Sequence, residues 1–269
     1  MTESSRPLKK FSQNFLTNPQ IQEKIVNALQ IGSNDAVMEV GPGKGALSVH
    51  ISTKGPKHFW GIEIDRRWAQ LLEEQMGGKI EVVQEDFLNI DLQDFQARAN
   101  ARLKVIGNLP YNITSPILFQ LIDQYQHVDS AVLMVQKEVA KRIVAGPGSK
   151  EYGILSVVCQ TYAQAEYLFD VKPGNFFPKP TVTSGVFKLL FNQTVGDIKD
   201  ESLFRNIVRQ TFNTRRKMLR TSLVRNFDKS IVYSLESVDL NNRPEQLSVQ
   251  DFIRLANEVH SYLKQTRSI

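Results

Sequence analysis

Two apolar rhythms alternate along the first 190 or so residues. Short continuous apolar runs read as buried strands at Ala36–Val40, Phe59–Ile64, Lys79–Gln84, Leu103–Ile106 and Ala131–Val135. Two more are expected near Tyr167–Val171 and Ser184–Phe191. Between them apolar residues recur at three- and four-residue spacing, the helical period. Asn18-Pro19 reads as cap and first residue of a helix carrying Ile21, Ile25, Val26 and Leu29, which ends at Ile31-Gly32. A helix after Gly45 carries Ala46, Leu47, Val49 and Ile51, and Arg66–Met76 turns Trp68, Leu71 and Leu72 inward. Thr114-Ser115-Pro116 opens another, with Ile117, Leu118, Leu121 and Ile122 as its face, and helices follow across Lys137–Ala145 and Tyr152–Tyr162. Strands alternating with helices predict a Rossmann-like α/β fold with a mostly parallel sheet of about seven strands. The last two strands lack a crossover helix between them and should pair antiparallel. After Phe191 comes a polar linker, Asn192–Asp197, and then only helix and loop. The expected organisation is a flexible basic arm over 1–10, an α/β domain over 11–192 and a small helical domain over 198–269.

Composition narrows the class. The chain has 269 residues, 41% hydrophobic and 23% charged, as in ordinary globular proteins. Its one cysteine, Cys159, sits in an apolar helical stretch, which predicts no internal disulfide and a reducing, cytoplasmic setting. The histidines His50, His58, His127 and His260 lack ligand spacing, so no metal site is expected. The first residues lack an apolar core of the signal-peptide kind, and no run is long enough to span a bilayer. The net charge of +5 is modest, so its distribution matters more than its size.

The unusual polar residues fall at the carboxyl ends of strands, where open α/β sheets bind ligands. Gly41-Pro42-Gly43-Lys44-Gly45-Ala46 is a glycine-rich strand-to-helix turn. Gly41 and Gly43 allow tight curvature and close approach of a ligand to the backbone. The run fits a dinucleotide fingerprint, so alone it does not separate a nicotinamide cofactor from S-adenosylmethionine, or either from a plain turn. Glu63 ends the second strand, where a carboxylate can accept from both ribose hydroxyls; a solvated carboxylate is the plainer reading. Asp86 ends the third strand, with Phe87 beside it. It suits an adenine amine, and equally an ordinary helix cap. The fourth strand runs into Asn108-Leu109-Pro110-Tyr111. There the Asn108 amide oxygen and the Leu109 carbonyl can accept two hydrogens from one exocyclic amine. Pro110 stiffens the turn and Tyr111 offers a face to a flat ring.

Several stretches occur together and in order: Ser-Gln-Asn-Phe-Leu (12–16), Glu-Val-Gly-Pro-Gly-Lys-Gly (39–45), Glu-Ile-Asp (63–65), Glu-Asp-Phe (85–87), Asn-Leu-Pro-Tyr-Asn (108–112), Gln-Lys-Glu-Val-Ala-Lys-Arg (136–142), Phe-Phe-Pro-Lys-Pro-Thr-Val-Thr-Ser (176–184) and Phe-Asn-Thr-Arg-Arg-Lys-Met-Leu-Arg-Thr-Ser-Leu (212–223). In this the chain resembles the KsgA family, S-adenosylmethionine-dependent N6,N6-dimethyltransferases of small-subunit rRNA adenines. Ser12 stands where that family usually has glycine. The resemblance implies a class I methyltransferase sheet and S-adenosylmethionine as cofactor. It implies two adjacent adenosines in the 3′-terminal helix loop of 16S rRNA as substrate, late in small-subunit assembly. By it, Asn14, Leu16, Gly41, Gly43, Glu63, Ile64, Asp86, Phe87 and Asn108 bind the cofactor. Asn108, Leu109, Pro110 and Tyr111 form the catalytic segment, and Tyr111 and Phe177 stack on the target base. The expected partner is the small ribosomal subunit, met by a monomer with no membrane association. Other readings are an Erm-type large-subunit rRNA methyltransferase, a non-catalytic rRNA-binding assembly factor and a nicotinamide dehydrogenase. The last has no use for Asn-Leu-Pro-Tyr.

Positive charge gathers in one place. Arg205, Arg209, Arg215, Arg216, Lys217, Arg220 and Arg225 occur with no acid among them. Such a run predicts phosphate contact rather than a solvated helix face. In one unbroken helix Arg215 would fall in the apolar arc of Phe204, Ile207, Val208 and Phe212. A break at Asn213-Thr214 is therefore expected, with Thr214 capping a second helix that turns Met218, Leu219 and Leu223 inward. Arg6, Lys9, Lys10, Lys137, Lys141 and Arg142 are expected to extend the basic surface.

Overall fold

A computed structural model describes residues 14–191 and 196–267. The expected basic arm, Ser12 and most of the linker lie outside the described residues. By backbone proximity the described residues form two units, one within 1–140 and 163–192, the other within 141–162 and 193–269.

The first unit begins with β1 (Phe15–Leu16) and α1 (Pro19–Ala28). The Asn18 carboxamide oxygen accepts from the N–H groups of Gln20 and Ile21, so the cap and the proline start of α1 form as the sequence predicts. β2 (Ala36–Val40) is buried throughout and ends at the glycine turn. α2 (Ser48–Lys54) starts later than expected, because residues 43–47 stay in turns. Leu47 and Ile51 are buried, but Val49 faces out. Next come β3 (His58–Ile62), α3 (Arg66–Met76), β4 (Glu81–Val83), α4 (Leu92–Ala99), β5 (Leu103–Asn108), α5 (Thr114–Asp123) and β6 (Val128–Gln136). The helix α4, capped by Asp91, is not predicted by the sequence pattern. Its apolar set, Leu92, Phe95 and Ala99, is too sparse for a clear stripe. α6 (Lys137–Val144) carries the boundary between units, α7 (Ile154–Tyr162) belongs to the second, and β7 (Gln164–Val171), β8 (Phe176–Phe177) and β9 (Ser184–Leu190) return to the first.

The main sheet has the order β4-β3-β2-β5-β6-β9-β7. Its first five strands are parallel, and β9 pairs antiparallel with both β6 and β7. This is the expected class I methyltransferase architecture. β2 and β5 lie side by side at its centre and are nearly inaccessible, so Gly41 and Asn108 leave neighbouring strands at one edge. A second small sheet pairs β1 with β8, Phe15 opposite Phe177 and Leu16 opposite Phe176. Such short strands give no periodic signal, and this pairing was not legible in sequence.

The second unit adds α8 (Glu201–Asn213), α9 (Leu219–Leu223), α10 (Lys229–Tyr233) and α11 (Val249–Arg267) to α7. Its inclusion of 141–162 differs from the expected split at 192–198, and aromatic packing explains why. Tyr152 meets the Phe212 ring edge-on at 5.9 Å, and Phe212 packs on Phe252 at 5.7 Å. The break after Asn213 is present, but Thr214 closes α8 rather than opening α9. Its hydroxyl bonds back to the Gln210 carbonyl at 3.3 Å, which draws it into the preceding turn. Met218 caps α9 and is exposed, contrary to expectation, while Leu219 and Leu223 are buried. No helix among the described residues is long and apolar enough to cross a membrane.

One glycine limits how the centre packs. A β-carbon on Gly107 would lie 2.8 Å from the Val40 carbonyl oxygen of the adjacent strand. Backbone cannot yield there as a flexible side chain would. Gly107→Ala is expected to cost about 1–3 kcal/mol, seen as a lower urea midpoint of unfolding.

Candidate active site

At the carboxyl edge of β2, β3, β4 and β5 a cavity opens, lined by residues of the first unit. Its floor is the glycine turn. Gly41 has φ +66°, and nothing stands within 4 Å of where its β-carbon would be. The wall there is bare backbone beside open space, a cradle for a ligand placed close to the chain. Gly43 has φ +55°, and a β-carbon on it would lie 3.0 Å from the Phe15 ring.

Two buried acids underlie the turn. Glu63 accepts the Gly43 N–H at 2.8 Å on one carboxylate oxygen and the Asp65 N–H at 2.9 Å on the other. Glu63 lines the cavity, and a carboxylate at that place can accept from a ribose diol. Burial raises its pKa, opposed by the N–H groups of Asp65, Gly43 and Ile64 and helped by the nearby Asp65 charge. Glu39 lies in the apolar run of β2 and also lines the cavity, where its carboxylate accepts the Ser48 hydroxyl at 2.6 Å. Burial pushes its pKa up to about 8, against the Ser48 bond and with a further push from Glu63. Sequence reasoning did not single out Glu39. Its signal was an acid inside Ala-Val-Met-Glu-Val, where every neighbour is apolar.

Asp86 follows β4. One carboxylate oxygen caps a short 3-10 turn by accepting the Leu88 N–H at 3.0 Å. The plain capping role and the ligand role are thus compatible, since the second oxygen is not used by that bond. Phe87 is buried and Ile64 is 47% exposed. Both line the cavity and offer apolar walls to a ring.

On the far side stand Asn108, Leu109, Pro110 and Tyr111, all lining the same cavity. The Asn108 amide nitrogen donates to the Asn14 carbonyl at 2.9 Å. A carbonyl only accepts, so this bond fixes which end of the amide is nitrogen and leaves the oxygen as the acceptor for a ligand. The Leu109 N–H donates to the Met134 carbonyl at 3.0 Å, which holds its peptide unit. The Tyr111 hydroxyl bonds the buried Ser184 hydroxyl at 2.8 Å. Its pKa is raised by burial and partly restored by Ser184.

Asn14, Phe15 and Leu16 also line the cavity. Phe15 meets the Trp68 ring edge-on at 5.3 Å, and the Lys44 ammonium lies 4.8 Å from the Phe15 ring. Phe15 gives no signal of its own in the sequence, because one aromatic in a two-residue strand reads as ordinary packing. Phe177 is 53% exposed and outside the cavity lining. It is joined to the site through the ribbon that pairs it with Phe15 and its neighbour Phe176 with Leu16.

In the second unit the basic run divides. Arg215 donates to the carbonyls of Lys150 and Ser149 at 2.6 and 3.0 Å and faces Glu245 at 3.6 Å. Arg205 lies 3.8 Å from Glu201 and over the Tyr162 ring. Arg209, Arg216, Lys217, Arg220 and Arg225 are exposed.

The ribosomal RNA adenine dimethylase family model matches residues 5–261. The ribosomal RNA small subunit methyltransferase A of Chlorobium phaeobacteroides is 44% identical over 251 residues, 93% of each chain. The protein of the same name from Phocaeicola vulgatus is 38% identical, over 98% of this chain and 93% of its own. Among solved structures, a dimethyladenosine transferase from Plasmodium falciparum superposes with a TM-score of 0.80 at 27% identity, covering 92% of this chain and 98% of that one. The 23S rRNA methyltransferase ErmE, at 0.69 and 22% identity over 92% and 100%, shares the fold.

Glu39 makes stability depend on pH. Its carboxyl ordinarily titrates near 4.5 and in the native state near 8. Between those values the unfolded chain loses the proton while the native chain keeps it, so this group's contribution to stability falls as pH rises and levels off above about 8. Glu39→Gln keeps an acceptor for Ser48 and does not titrate. Urea unfolding at pH 5 and pH 8 should show the variant gaining on the native protein at the higher pH.

Proposed function

The chain belongs to the ribosomal RNA adenine dimethylase family, and from that premise we propose that it methylates N6 of two adjacent adenosines in the 3′-terminal helix loop of 16S rRNA, with S-adenosylmethionine as donor. The observation that carries the reading is the Asn108 amide, whose nitrogen is committed to the Asn14 carbonyl and whose oxygen is left for the target amine. The cofactor fits the donor set: open backbone at Gly41, a carboxylate at Glu63 for the ribose, and Asp86 with Ile64 and Phe87 for the adenine. Asn14, Leu16 and Gly43 complete that half of the cavity. When bound, S-adenosylmethionine supplies an electrophilic methyl on a sulfonium.

The residues of this chain do the rest. An adenine N6 lone pair is delocalised into the ring, and a stacked base is out of reach, so the nucleotide must be splayed out. Tyr111, steadied by Ser184, offers one face to that base, and Phe177 is assigned the other. Asn108 Oδ1 and the Leu109 carbonyl accept the two N6 hydrogens, which favours a pyramidal nitrogen and aims its lone pair. Pro110 holds the two acceptors at a fixed spacing. No strong base is needed, because the N6 proton becomes acidic only as the methyl arrives. Neutral Asn adds no charge attraction that would retain the methylated amine.

Substrate RNA is assigned to Arg209, Arg216, Lys217 and Arg220. Arg205 and Arg215, also expected there, are engaged within their own unit and act first through structure. We place the protein in the cytoplasm as a monomer acting on the small ribosomal subunit late in its assembly. The relatives' names support the small-subunit part of that placement.

Immature small subunits incubated with labelled cofactor should take up methyl groups, and large subunits should not; the reverse would indicate an Erm-type specificity. Asn108→Ala should lose most turnover while binding subunits almost normally, and near-normal single-turnover methylation by it would sink the acceptor role. Replacing Arg209, Arg216, Lys217 or Arg220 singly by Gln should each reduce the slope of log affinity against log salt by about 1.

A further inference from the structure

The strand β1 serves both halves of the site, and residues outside the cavity hold it in place. On one side Phe15 lies on the glycine turn and the Asn14 carbonyl orients Asn108. On the other, β1 pairs with β8, which carries the exposed Phe177. A pair of two-residue strands is marginal by itself. It is closed at one end by Asn175. The Asn175 carbonyl accepts from the Thr17 N–H at 2.8 Å and from the Thr17 hydroxyl at 3.0 Å. Its side-chain oxygen accepts from Asn18 Nδ2 at 2.8 Å, while its own amide nitrogen is pinned on the Lys172 carbonyl at 3.0 Å. The same Asn18 caps α1 through its other amide atom. The cap of a helix and the closure of the ribbon thus meet in one side chain.

We propose that Asn175 and Asn18 are positioning residues that make β1 and β8 one unit, so that cofactor binding and target-RNA binding strengthen each other. Ordering Phe15 over the cofactor loop orders Phe177 opposite it. Whichever ligand binds first bears the cost of ordering the ribbon, and the second binds a site already set. By linkage the effect is the same in both directions. The inference rests on the assignment above of the cavity to the cofactor and of Phe177 to the target base.

The test measures, on the full chain, the affinity for S-adenosylhomocysteine with and without saturating immature small subunits, and the converse. The native protein should show mutual tightening on the order of ten-fold. Asn18→Asp keeps a carboxylate to cap α1 but removes the donor to Asn175, and Asn175→Ala removes the acceptor. Both should bring the coupling factor to about one, with smaller changes in either separate affinity. Thr17→Val, which removes only the hydroxyl bond, should lower it part-way and covers the case of a poorly folding variant. Undiminished coupling in these variants would overturn the role of Asn175 and Asn18. Independent binding of both ligands by the native protein would overturn the coupling and leave the methyltransferase reading intact. If the native protein bound neither ligand, that reading would fall and the coupling with it.

Discussion

The bond from the Gly43 N–H to the Glu63 carboxylate ties the turn after β2 to the end of β3. It acts together with the bonds of the Gly41 N–H to the Ile62 carbonyl and the Gly45 N–H to the Pro42 carbonyl, both at 2.9 Å, on a turn whose glycines lose more conformational freedom on ordering than any other residue. Gly41 and Gly43 both have positive φ, so the turn accepts no ordinary side chain at either position without strain. The carboxylate that fixes the turn also lines the cavity that the turn cradles. Structure and ligand chemistry therefore draw on one group.

The site is built from opposites. Below the turn, Glu39 and Glu63 are buried acids whose pKa values rise through loss of water. Across the cavity Asn108, the residue we assign to the reaction, is a neutral amide. Its orientation comes from a main-chain carbonyl at Asn14, which any residue would supply, so it depends on where β1 runs rather than on the Asn14 side chain. Tyr111 is steadied in the same spirit, through the hydroxyl of Ser184 at the start of β9. The rigid sheet edge holds the acceptors, and a short ribbon outside that sheet holds their setting.

In the second unit charge and packing divide the basic run between them. Arg215 turns toward carbonyls of residues 149–150 and leaves the apolar arc to Phe212, which resolves the conflict that one continuous helix would create. The long arginine side chain reaches its partners only because the chain between α6 and α7 folds into this unit. Positive charge that is left exposed at Arg209, Arg216, Lys217, Arg220 and Arg225 is what solvent, or a phosphate, meets.

By itself the sequence determined the strands of the parallel sheet, the antiparallel last pair and the place of Gly41, Glu63, Asp86 and Asn108 at strand ends. Each of those rests on local periodicity or on a residue whose backbone preference is strong, and the family motifs added the chemistry. α4 escaped because its apolar stripe is short, and Glu39 because an acid inside an apolar strand marks an unusual group without showing that Ser48 and Glu63 are its neighbours. Only the tertiary structure paired Phe15 with Phe177 and brought Asn14 to Asn108, 94 positions apart. It alone turned Arg215 inward, Met218 outward and residues 141–162 into the helical unit. Those are non-local choices, made by backbone groups and aromatic contacts that no spacing along the chain encodes.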